Sequence, residues 1–150
     1  MRRMIGLLVV AGALVACAGA RSSGTGQPPR EGRNANMPWN DVAKLALEKL
    51  TDEERRDGVA YLDEREWPAG STLQIDKKPH PVKNRTAVVF VDRVPRANWA
   101  HSCRYLLVDL EARSVESIEA QFPPFLTAVP KTLKVIWKGP NVPDWAVVRQ

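Results

Sequence analysis

Six consecutive residues, Thr86-Ala87-Val88-Val89-Phe90-Val91, leave this chain little freedom in how it folds. Alternate side chains of a strand point to opposite faces, and here both sets are apolar. Such a segment belongs at the centre of a sheet rather than at its rim. Its neighbours supply partners. Pro95-Arg96-Ala97-Asn98 marks a loop, Cys103-Arg104-Tyr105-Leu106-Leu107-Val108-Asp109 reads as the next strand, and Glu111-Ala112-Arg113 turns the chain into a strand over Val115 to Gln121. The three form an antiparallel meander. A last strand over Leu133 to Trp137 ends at Gly139-Pro140, and Leu73-Gln74-Ile75 is a short one closed by the polar, proline-rich stretch 76–83.

Upstream the pattern is helical. Asn40 is placed to cap a first helix whose stripe is Val42, Leu45, Ala46 and Lys49, flanked by Leu47 and Leu50. Thr51-Asp52-Glu53-Glu54 has capping-box spacing, which starts a second helix at Asp52. Val59, Tyr61 and Leu62 are its buried residues, and Trp67-Pro68-Ala69-Gly70 ends it. Helices first and antiparallel strands afterwards predict an α+β fold, with N-terminal helices packed on one face of a mainly antiparallel sheet.

The N-terminus carries a different message. Arg2 and Arg3 precede an uncharged apolar run over Met4–Val15, too short to span a bilayer and fitting a signal peptide. At its end, Leu14-Val15-Ala16-Cys17 resembles the lipobox of bacterial lipoproteins. The resemblance implies cleavage between Ala16 and Cys17, and a diacylglycerol thioether plus an amide-linked acyl chain, such as palmitate, on Cys17. An ordinary secretory leader cut after Ala18 or Ala20 is the competing reading. Buried acyl chain contributes about 0.8 kcal/mol per CH₂, so three chains anchor a protein to the membrane almost permanently. Ala18, where aspartate would resemble an inner-membrane retention signal, implies the outer membrane in a diderm cell.

Residues 17–38 are the lipidated cysteine and a flexible tether. Up to Pro29 it has no aliphatic side chain larger than alanine, so it buries too little surface to offset ordering. Such a coil places the domain about 25 Å from the bilayer. The tether also explains the charge. The whole chain carries +5, but residues 39–150 carry only +1. That residue of charge comes without a nucleic-acid motif, which excludes nucleic acid as a partner. Residues 39–150 make one domain.

Within that domain Tyr105-Leu106-Leu107-Val108-Asp109, followed by Ser114-Val115, resembles the closing hairpin of PepSY and related protease-propeptide modules. The likeness covers residues 40–122 in rough outline and implies a protease-related or inhibitory role.

Chemically distinctive side chains concentrate in Asn98-Trp99-Ala100-His101-Ser102-Cys103-Arg104-Tyr105. In extended form His101, Cys103 and Tyr105 share a face. Neighbours of that kind stand about 7 Å apart, poor geometry for His101 to activate the thiol of Cys103. Cys103 is therefore expected to fill the core beneath the helices, and Asn98, Trp99 and His101 to form a binding loop. His80, His101 and Cys103 lack zinc-ligand spacing, so neither metal nor cofactor is expected, and His80 is read as a solvated loop residue. The runs Asp52-Glu53-Glu54 and Asp63-Glu64-Arg65-Glu66 read as solvated helix faces. Of five tryptophans, Trp145 is the one placed for exposure, in a proline-rich tail. The chain as a whole reads as an envelope lipoprotein facing the periplasm or cell surface, membrane-bound through Cys17, with a non-enzymatic module that binds an envelope protein. The alternatives are a small thiol-dependent enzyme using Cys103 with His101, and a purely structural lipoprotein.

The anchor has a direct test. Intact mass of the processed protein should begin at Cys17 and exceed the peptide mass by glycerol and three acyl chains, and Cys17→Ser should abolish both processing and added mass. A different first residue, or no added mass, contradicts the lipobox reading.

Overall fold

The computed structural model describes residues 37–97, 100–124 and 129–148, all within a unit spanning Ala35–Gln150. Cys17, the Ala16 cleavage position, Asn98 and Trp99 lie outside the described residues.

Helix α1 (Trp39–Leu47) is opened by Pro38 rather than Asn40. The Pro38 carbonyl accepts from Asp41 N–H (2.9 Å) and Val42 N–H (3.1 Å), and no side chain caps the end. Trp39 is the first helical residue, so Asn40 falls within the first turn. Met37, counted with the tether in the sequence, is buried against the domain core. Helix α2 (Asp52–Asp57) has the full capping box: Thr51 accepts from Glu54 N–H at 3.2 Å while Glu54 accepts from Thr51 N–H at 2.9 Å.

Here the structure corrects the sequence reading. The second helix does not reach Trp67. It stops at Gly58, and Val59–Trp67 forms β1, a nine-residue strand. Val59, Ala60, Tyr61 and Leu62 are all buried, so this run is apolar on both faces and behaves like the central strand further on. The charged stretch after it mimics a helical face only because its outer residues emerge from the sheet.

Strands β2 (Thr72–Ile75) and β3 (Lys78–Pro81) form a separate hairpin. Asp76 and Lys77 close it with φ of 51° and 63°, the paired left-handed conformation of a mirror-image turn. The stretch 76–83 is thus partly strand, with His80 opposite Leu73. Strands β4 (Thr86–Asp92), β5 (Cys103–Asp109), β6 (Val115–Ala120) and β7 (Leu133–Lys138) follow. With β1 they make one antiparallel five-stranded sheet in the order β6-β5-β4-β1-β7. Only β4-β5-β6 is a meander. The chain then crosses the sheet to lay β7 beside β1. The architecture is therefore mainly antiparallel β, with few helical residues.

β4 and β5 are buried almost throughout, and their alternating side chains divide into two clusters. Phe90, Cys103, Tyr105 and Leu107 pack with Tyr61, Leu73 and Ile75, and with Val142 and Ala146 from the C-terminal segment. Val89, Val91, Leu106 and Val108 pack with Ala60, Leu62 and Val42 and Ala46 of α1. Both sides of the sheet thus bury apolar surface, one of them beneath the hairpin and tail rather than a helix. The sequence reading expected helices on one face, whereas apolar clusters form on both.

Gly139 locks the end of β7 to the end of α2. Its N–H donates to Gly58 C=O at 2.9 Å, and Asn141 N–H donates to Arg56 C=O at 3.0 Å. A Cβ at Gly139 would lie 2.3 Å from the Arg56 carbonyl oxygen. Gly139→Ala should therefore destabilise the domain by about 3 kcal/mol in denaturant unfolding. A loss under about 0.5 kcal/mol, the ordinary range for surface changes, would show that this junction is loose.

Candidate functional site

Of the binding loop read from the sequence, His101 is the described member, and it anchors the loop's base. Its Nε2 lies 3.0 Å from Asp92 Oδ1, and its backbone N–H donates to Gln121 C=O at 2.9 Å. Asp92 Oδ1 also accepts from Val94 N–H at 2.9 Å, starting the loop with a tight local turn. Burial raises the Asp92 carboxyl above its ordinary range, against the pull of the His101 charge and the bonds from Val94 and His101. One carboxylate thus ties the end of β4 to the far end of the loop.

Arg93 ties the same loop to two other elements. Its Nε donates to Glu54 Oε1 at 2.8 Å and its Nη2 to Glu119 Oε1 at 2.9 Å, with Nη1 on the other Glu119 oxygen and within 3.3 Å of Ser102 Oγ. Glu54, 2% exposed, also receives Arg104 Nη2, which donates in addition to Lys49 C=O at 2.9 Å. Desolvation pushes the Glu54 carboxyl up, but the Thr51 N–H bond, the Arg93 bond and the charges of Arg104 and Arg93 outweigh it and hold the group below its ordinary value. The expectation that Asp52-Glu53-Glu54 is a solvated face therefore fails at Glu54. A signal for it existed: Arg104 interrupts an apolar strand, and a buried guanidinium demands a buried carboxylate. Asp63 departs from expectation in the same way, since it is 7% exposed within β1 and takes Arg65 Nε at 2.9 Å.

Beyond this base the loop is outward. Val94 is 44% exposed. Arg96 Nη2 donates to Asn141 C=O at 3.1 Å, and Asn141 Nδ2 donates to Asp57 Oδ1 at 2.8 Å. Between them lies a cleft of about 340 Å³, lined by Asp57, Val94, Pro95, Arg96, Asn141 and Val142. Together with Arg93 these give the lining apolar side chains and both charge signs, a composition suited to recognition. Sequence reading missed its far wall, because residues 139–142 meet the loop only after β7 crosses the sheet.

Cys103 is wholly buried, as expected, but on the other side of the sheet from that expectation. It packs in the cluster of Tyr61, Ile75 and Phe90, not with α1. The strand period puts Cys103 with Tyr105, and it is Leu106 and Val108 that cluster with Val42 and Ala46 of α1. Sγ donates to Phe122 C=O at 3.5 Å, the carbonyl that Tyr105 OH also donates to at 2.9 Å. Burial, aided by the negative charges of Asp76, Asp92 and Glu119 against Arg93, pushes the thiol up to about 12. A nucleophilic cysteine needs the opposite shift.

His80 is strand rather than loop, half-buried, with Nε2 3.7 Å from Glu116 Oε1. Among the described residues no His, Cys, Asp and Glu group is arranged to hold a metal. Trp145 is 74% exposed, whereas Trp39, Trp67 and Trp137 are partly buried against the core. No helix among the described residues is long and apolar enough to cross a membrane. The chain matches no protein-family model, no curated protein and no solved structure.

In native protein a thiol reagent at neutral pH should leave Cys103 unmodified, with full labelling only after denaturation, and Cys103→Ala should cost about 1–3 kcal/mol through the void left behind. Rapid native labelling would contradict the burial and restore Cys103 as a nucleophile.

Proposed function

We propose that this protein is a lipoprotein of the bacterial cell envelope, anchored through Cys17, whose domain is a non-enzymatic module that binds an envelope protein. In a diderm cell its place is the outer membrane, with Ala18 after the lipidated cysteine as the supporting residue. The observation that carries the binding role is the loop after β4. It is pinned at its base through Asp92, Arg93 and His101, yet presents Val94 and Arg96 beside a cleft. A rigid base with an exposed rim lowers the ordering cost of binding.

In this reading α1 and α2 both serve as cover on one sheet face, leaving the loop end free. Val42 and Ala46 of α1, and the Glu54–Arg104 bond of α2, support that placement. The resemblance to protease-propeptide modules makes an inhibitory segment one form such binding takes, by analogy of fold alone. The burial and raised pKa of Cys103 weigh against a thiol enzyme. The cleft and the exposed Trp145 weigh against a purely structural role.

The test is crosslinking in the envelope with a photoreactive group on the loop, followed by capture of the lipidated protein. Wild type should yield a discrete crosslinked partner, and Arg96→Glu should reduce it by about tenfold, as loss of a charge contact at a binding rim does. Equal capture by the variant, with its fold intact by circular dichroism, would remove the loop from the binding surface.

A further inference from the structure

The outer edge of β7 is open among the described residues, since its one sheet neighbour is β1. Soluble proteins ordinarily blunt such an edge with lysines and bulges, and β7 carries Lys134, Lys138 and a register shift at Ile136. Here it is apolar on both faces: Val135 is 44% exposed, and Ile136 and Trp137 are only partly buried against the opposite cluster. A shallow groove of about 430 Å³ runs beside the strand, lined by Leu133, Lys134, Val135, Lys138, Val147 and Val148, with Asp144 at one end.

Lysines outnumber the one carboxylate, Asp144, along this edge. Between Glu119 and Asp144 the sequence contains no acidic residue and has lysines at 131, 134 and 138. Arg55 adds a guanidinium over the Trp137 ring. Asp144 is occupied by Lys138 Nζ at 2.6 Å, while Lys134 is exposed and has no side-chain partner among the described residues.

We infer that β7 is a docking edge for an extended, acidic segment of a partner protein, added to the sheet as a sixth strand. Main-chain hydrogen bonds along β7 would supply affinity. Alternating apolar side chains would rest beside Val135 and Ile136, and a carboxylate would meet Lys134. The chain's own tether has the wrong sign, with three arginines and one glutamate over residues 18–38. A second copy presenting the same edge would set Lys134 against its like. A bilayer fits a protruding surface better than a strand edge with a groove. This groove has its own lining residues, although Lys138 Nζ donates to the carbonyl of Val142 in the loop cleft at 3.2 Å, and its test does not depend on lipid at Cys17.

The probe is a capped octapeptide of alternating glutamate and valine, titrated into the full chain in detergent while the backbone amides of 133–138 are followed by NMR. The β7 amides should shift saturably, the affinity should fall with salt, and Lys134→Glu or Val135→Asp, both at exposed positions, should weaken it by about tenfold. Absence of shifts would overturn the inference, as would equal binding of the lysine–valine counterpart. Two further outcomes also overturn it. Phosphatidylglycerol added to the micelles moving the same amides when the peptide does not would assign the edge to a membrane. Concentration-dependent shifts without peptide would assign it to a second copy.

Discussion

The carboxylate of Glu54 is the contact on which the arrangement of this domain turns. It is almost fully buried, and a buried carboxylate costs several kcal/mol unless paired and hydrogen-bonded. Thr51 N–H, Arg93 and Arg104 supply that compensation from the helix start, from the end of β4 and from the start of β5. Arg93 extends the network to Glu119 on β6. One ionised group thereby holds α2 against three consecutive strands. It also sets the direction in which the loop after β4 leaves the sheet, which is the geometry the proposed binding role needs.

The sheet imposes the second constraint. β1, β4 and β5 each bury both sets of side chains over much of their length, so neither face tolerates water. Val42 and Ala46 of α1 belong to one cluster, and residues of the β2–β3 hairpin and of the segment Val142–Val148 to the other. Tail and hairpin are held by polar fastenings as well as packing. Val148 N–H donates to Tyr61 OH at 3.1 Å, and the Asp76 carboxylate accepts from Gln121 and Phe122 N–H. These fastenings, rather than a second layer of helix, close the far side of the core.

Legibility in the sequence followed the length scale of each interaction. The strands over 86–92, 103–109 and 115–120, and the capping box at Thr51, are local patterns and were legible within a residue or two. The stretch Val59–Trp67 was not. An acidic N-terminal turn followed by mixed charge and a few large apolar residues satisfies a helix as well as a strand, and the decision belongs to Gly58 and to pairing with β4 and β7, distant in sequence. The buried roles of Glu54 and Asp63 were hidden for the same reason. The inward direction of Cys103 was legible, but not which face it serves, because that depends on where α1 docks. The cleft escaped entirely, since its walls come from Asp57, the loop at 94–96 and Asn141.

The central claim is that Glu54 must be ionised to hold these elements together. Its pKa is lowered on folding, so its stabilisation is complete above the unfolded value near 4.5 and is lost as pH falls through the lower folded value. Denaturant unfolding of wild type and Glu54→Gln across pH 7 to pH 2.5 measures this directly. The variant should be less stable by about 3 kcal/mol at neutral pH, the cost of leaving buried guanidinium unpaired, and the gap should close progressively below about pH 4.5 as the wild-type carboxylate takes up its proton. A gap that is absent at pH 7, or that persists unchanged at pH 2.5, would contradict the account.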